Sequence, residues 1–119
     1  MKGSEMYLDA HCHLERHTYG EELEAVIERA FDAGLTHIIA VGATRVVEGA
    51  HEAVALAGTD PRIFATAGVH PHDVGKATDA DFAVVKEYLN HPRVVSLGEI
   101  GLDYHYDYAP KDVQIRRFE

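Results

Sequence analysis

The stretch Glu21-Glu22-Leu23-Glu24-Ala25-Val26-Ile27-Glu28-Arg29-Ala30-Phe31-Asp32-Ala33-Gly34-Leu35-Thr36-His37-Ile38-Ile39-Ala40-Val41-Gly42 decides the fold class. In its first half, Leu23, Val26, Ile27, Ala30 and Phe31 recur at helical spacing and form one apolar face. Gly34 supplies the stop, because glycine takes the left-handed conformation that ends helices. Residues 35–42 follow as a near-continuous apolar run, the pattern of a strand buried on both faces of a parallel sheet. A helix over 21–33 therefore feeds a strand over 35–42.

The same alternation extends in both directions. Upstream, residues 6–13 read as a strand; downstream, 62–69 and 94–100 read as two more. A second helix is expected over 45–58, burying Val46, Ala50, Ala53, Val54 and Ala57. A third opens at Thr78, capped toward Asp81, buries Phe82, Val85 and Leu89, and ends before His91-Pro92. Pro110 starts a fourth. Repeated strand–helix units with single-faced helices imply a parallel sheet with right-handed crossovers. The fold class is α/β: (βα)₃β plus the start of a fourth helix, a partial TIM-type barrel. A complete barrel takes ~250 residues, so residues 1–119 are expected to be its truncated N-terminal half. Open strand edges and an uncovered inner face would favour self-association.

Composition narrows the function. The chain is 46% hydrophobic with a net charge of −9, and has no apolar run long enough for a membrane helix. Residues 1–7 lack the apolar core of a signal peptide, so a cytoplasmic protein is expected. A single cysteine, Cys12, forms no internal disulfide. Strong negative charge is the wrong sign for a module that grips DNA phosphates with Lys and Arg. An enzyme whose positive charge comes from bound cations escapes that objection.

Three blocks carry chemistry. Asp9-Ala10-His11-Cys12-His13 closes the first strand; alternation puts His11 and His13 on one face and turns Cys12 away. Two imidazoles there suit a metal ion, although two solvent-facing histidines are the plainer alternative. Asp9, counted on the same face, is expected to hold a ligand ring nitrogen. Leu97-Gly98-Glu99-Ile100-Gly101-Leu102-Asp103 closes the fourth strand, with Glu99 between glycines that leave room for a metal or substrate. An isolated acidic strand end is the alternative there. Gly68-Val69-His70-Pro71-His72-Asp73 closes the third strand. His70 could meet a phosphate oxygen, donate a proton to a leaving group, or be structural. Tyr104, Tyr106 and Tyr108 either stack bases or cover the barrel rim.

Together these blocks resemble the N-terminal signatures of the TatD-type metal-dependent deoxyribonucleases, in the right order along the whole chain. Gln114 and Phe118 fit the helix that follows. The resemblance implies a TIM-barrel hydrolase using one or two divalent cations (Zn, Mn or Mg) to cleave DNA or a related phosphodiester through activated water. It implies His11 and His13 on the first cation, Glu99 bridging to the second, His70 in the substrate pocket and Asp103 organising the site. It also implies two further histidines and an aspartate outside this chain, so 1–119 alone is expected to be inactive. A His-x-His start is shared with amidohydrolases and PHP-type phosphoesterases, which remain the alternative enzyme classes. A non-catalytic half-barrel that dimerises through its sheet edges, holding one cation on His11, His13 and Glu99, is the third reading.

Overall fold

In the computed structural model, which describes residues 5–119, four parallel strands form one sheet in the order β1-β2-β3-β4. Residues 1–4, part of the stretch read for a leader, lie outside the described residues. The strands are β1 (Tyr7–Cys12), β2 (Leu35–Ala40), β3 (Ile63–Ala67) and β4 (Val94–Leu97). The helices are α1 (Arg16–Tyr19), α2 (Leu23–Asp32), α3 (Glu48–Thr59), α4 (Asp79–Tyr88) and α5 (Lys111–Phe118), with a 3₁₀ turn at Gly20–Glu22 before α2.

One face of the sheet is the core. Ile38, Ala40, Ile63, Ala65 and Ala67 point to it and pack against Leu23, Ile27 and Phe31 of α2 and Ala50, Ala53, Val54 and Ala57 of α3. Alanines on both sides bring α3 close to β3; a bulky residue at any of them would overfill a densely packed interior. The opposite face is open, with Leu8 53%, Val95 51% and Leu97 46% exposed. No helix among the described residues is long and apolar enough to cross a membrane.

Several boundaries moved, each for a local reason. The second helix begins at Glu48 rather than 45, because Arg45 and Val46 take left-handed conformations (φ 52° and 61°). That conformation is costly for a β-branched residue. The turn is held by Gly49 N–H donating to the Thr44 carbonyl at 2.9 Å and Val46 N–H to Asp73 Oδ2 at 3.3 Å. The first helix is shortened by the 3₁₀ turn, and Gly34 (φ 116°) stops the chain after Asp32 as expected. Thr78 and Asp81 do form a reciprocal capping box at α4. Leu89, expected to be buried, instead follows the helix end and is 40% exposed. The fourth strand stops at Leu97, so Glu99 lies in the loop beyond it.

The first strand contains the most consequential departure. Asp9 pairs with Ile38 while Cys12 pairs with Ala40, so three steps on β1 match two on β2. This extra residue is a β-bulge, and it reverses the inward–outward alternation downstream.

Candidate metal centre

The bulge sets which side chains meet. Asp9 and Cys12 share the face of Ile38 and Ala40, so Asp9 is not on the histidine face as simple alternation predicts. Its carboxylate accepts the backbone N–H of His11 at 3.0 Å instead of holding an imidazole. Asp9 thus braces the bulged main chain. Cys12 packs half-buried against the core; burial, and secondarily the charge of Asp9, push its thiol up to about 12.

His11 and His13 stay together, their rings edge to face with centroids 5.3 Å apart. Across the open end of the sheet, His11 Nε2 lies 3.5 Å from Glu99 Oε2, and His70 Nε2 lies 3.5 Å from Glu99 Oε1. Ligand atoms of His11, His13 and Glu99 lie within 4.8 Å of one another. Donors on one Zn²⁺ at about 2.0–2.2 Å can be no more than about twice that distance apart. The three groups are therefore a small side-chain adjustment from a shared ion, and two imidazoles with one carboxylate are a chemically suitable donor set. His11 and Glu99 border a shallow hollow of about 350 Å³, floored by Ile39, Thr66 and Leu97 of the open face.

Glycine makes this meeting possible. A Cβ on Gly68 would lie 2.8 Å from the Gly98 carbonyl carbon and 2.9 Å from its oxygen. The ends of β3 and β4 consequently touch backbone to backbone, and Gly98 N–H donates to the Ala67 carbonyl at 3.0 Å. Thr66 Oγ1 donates to the Gly98 carbonyl at 2.7 Å. His70 is carried to Glu99 by this contact, and its own N–H donates to the Ala43 carbonyl at 3.1 Å.

Two polar residues matter that sequence reasoning gave no role. Glu15 is buried beneath His13, its Oε1 4.0 Å from His13 Nδ1, with the Thr44 hydroxyl donating to it and Arg45 3.5 Å away. Nothing in a Glu two residues after a histidine signals burial. His72 donates through Nε2 to Asp103 Oδ2 at 2.5 Å. The Pro between His70 and His72 was the available signal, since it stiffens both. Asp103 stands outside the His11, His13 and Glu99 group; it accepts His105 and Tyr106 N–H through Oδ1 at 2.9 and 3.2 Å. Gln114, buried in α5, accepts Asp103 N–H at 2.7 Å and donates to the Asp103 and Ala109 carbonyls at 3.0 and 2.9 Å.

The His72 hydrogen bond, helped by the two backbone donors, holds the Asp103 carboxyl well below its ordinary 3.8, at about 2. A depressed carboxyl stabilises the fold above its unfolded value and loses that contribution as pH falls through its folded value. The loop 103–109 should thus stay pinned down to about pH 4 and loosen toward pH 2. NMR of the Tyr106 and Tyr108 ring signals would show this; a midpoint near 3.8, or the same transition in Asp103→Asn, would contradict it.

The sequence model described as TatD related DNase matches residues 8–119. This chain belongs to that family. An uncharacterised metal-dependent hydrolase, YabD of Bacillus subtilis, is 40% identical over 109 residues, covering 92% of this chain and 42% of that protein. The 3'-5' ssDNA/RNA exonuclease TatD of Musicola paradisiaca is 32% identical over 110 residues, covering 92% and 41%. A crystal structure of YJJV, a TatD homolog from Escherichia coli K12, superposes with a TM-score of 0.81 at 29% identity, over 94% of this chain and 43% of that one. The chain thus spans less than half the length of these TatD relatives, and its strand order is that of a partial TIM-type barrel.

Proposed function

We propose that the chain carries the first part of a divalent-metal hydrolase site that cleaves phosphodiester bonds of DNA or a related single-stranded nucleic acid. The convergence of His11, His13 and Glu99 from opposite edges of the sheet supports this reading most directly. In it, His11 and His13 hold one cation, and Glu99, with two oxygens, serves that cation and a second. A bound Zn²⁺, Mn²⁺ or Mg²⁺ would supply activated water and neutralise phosphate charge. His70, against Glu99, is suited to a phosphate oxygen or to protonating the leaving oxygen once a proton resides on Nε2. Asp103 acts at a distance, by orienting His72 and the 103–109 loop. Asp9 fixes the main chain that presents His11. The sequence likeness to named nucleases favours this substrate class over the amides and phosphomonoesters of the other His-x-His enzymes.

The open apolar face and the free edges of β1 and β4 also favour pairing between copies. The test is release of nucleotides from a single-stranded oligodeoxynucleotide with each cation in turn, at a native mass measured in parallel. Release is expected to be weak at most, because only the first part of the site is present, and any metal-dependent release should vanish in Glu99→Gln. Release unchanged in that variant, or faster turnover of small phosphomonoesters or cyclic amides, would sink the reading.

A further inference from the structure

Beside the His11, His13 and Glu99 group lies a second set of side chains to which the hydrolytic reading gives no contact with substrate. His72 follows His70 with ring centroids 4.2 Å apart, so it stands one side chain away from the neighbour of Glu99. Against His72 lie Tyr108, at 4.7 Å, and Tyr106, at 5.6 Å. The two tyrosines stack on one another at 5.3 Å and 23°. Large aromatics on a surface are ordinarily covered, yet Tyr108 is 63% and Tyr106 49% exposed. Together with Asp73 and Lys76 they line an open hollow of about 520 Å³. That is within the range of small-molecule sites, roughly 300–1,000 Å³.

The loop that bears the two tyrosines is tied at both ends. Buried Gln114 fastens both ends of 103–109 from below, and Asp103 ties its start to His72. An ordered aromatic surface binds a flat ligand without the entropic cost of arranging itself. Lys76 brings a positive charge to the same hollow in a strongly acidic chain. Asp73 adds carboxylate oxygens that can accept from exocyclic amino groups.

We propose that His72, Tyr106 and Tyr108 form a subsite that stacks one base of a single-stranded nucleic acid, with Lys76 against the adjoining phosphate. The ligand class rests on the nuclease reading; the subsite itself needs no cation. Its role is to hold a nucleotide next to the one at Glu99, which sets register along the strand rather than cleaving it. Stacking is tolerant of base identity, because every base has a flat face.

The test uses the 119-residue chain in EDTA, which withholds the cation that the proposed cleavage needs. Binding of a labelled short oligodeoxyadenylate is followed by anisotropy, beside an abasic oligomer of the same length and charge. The adenylate should bind more tightly than the abasic strand. Tyr108→Ala should weaken adenylate binding about 5- to 150-fold, while Tyr108→Phe keeps it, since the ring remains. His51→Ala, on α3 and outside both sites, should bind as the parent does, which ties the loss to the Tyr108 ring. If small phosphomonoesters or cyclic amides prove the better substrates but these differences hold, the subsite stands and the nuclease reading fails. Equal binding of abasic and adenylate strands, or parental binding by Tyr108→Ala, overturns the subsite whatever the hydrolysis assay shows.

Discussion

Replacing His13 with alanine should weaken divalent-cation binding by at least about 100-fold. The floor comes from metal sites in general, where loss of a group that merely orients a ligand already costs about 10- to 100-fold. Here the loss would be a ligand, and one of only two imidazoles in the His11, His13, Glu99 cluster. His11→Ala should do the same. The remaining pair would offer one nitrogen and one carboxylate, a set that also describes many exposed surfaces. Because the chain has nine histidines, a control is needed. His51 serves: it sits on α3, its Nδ1 2.5 Å from the Tyr88 hydroxyl, remote from the cluster. Calorimetric titration of the metal-free chain with Zn²⁺ or Mn²⁺ should show His51→Ala unchanged. Equal affinities in His13→Ala and His51→Ala would remove the cluster as a metal site.

The second large effect is on stability. A Cβ added at Gly42 would lie 2.5 Å from the Thr66 carbonyl oxygen, 2.8 Å from the Ala50 Cα and 3.0 Å from the Ala53 Cβ. Backbone of β3 stands on one side and α3 on the other, so no flexible side chain can move aside. Overpacking usually costs about 1–3 kcal/mol, and Gly42→Ala belongs at the upper end, about 3 kcal/mol. With a urea slope of about 1–3 kcal/mol per molar, the midpoint should drop by about 1 M or more. Gly58→Ala should move it the other way by a smaller amount. Gly58 lies inside α3 with nothing within 4 Å of an added Cβ, and alanine is favoured over glycine in helices by about 0.5–1 kcal/mol. A Gly42→Ala midpoint equal to the parent's would show that β3 and α3 can part at this point.

These residues also show how far the sequence could be read. Helical and strand periodicity identified each of the four strands and the long helices, because both record burial on one face, and burial is what the core at Ile38, Ile63 and Val54 enforces. Helix starts were less legible. Arg45 and Val46 bear no mark of a left-handed turn, which is set by Thr44, Gly49 and the distant Asp73. The meeting of His11 with Glu99 depends on strand ends brought together by Gly68 and Gly98, a contact across thirty residues of chain on the order visible only in the fold. Motif order could nominate candidate ligands, but Glu15 and His72 acquire partners only through packing. Alternation placed His11 beside His13 correctly and Asp9 wrongly, since the bulge falls between Asp9 and the pair.

That bulge leaves the first strand one residue longer than its pairing needs. Point substitutions at Ala10 leave the count of residues intact, and the two imidazoles keep their side of the sheet. Deleting Ala10 would remove the extra step between Asp9 and Cys12 while the core continued to demand an apolar side chain opposite Ala40. Two steps would then match two, so Cys12 would stay opposite Ala40 and both imidazoles would keep the open face on a straighter strand. Homologous chains that retain the site are therefore expected to carry either a variable residue or a gap at this point.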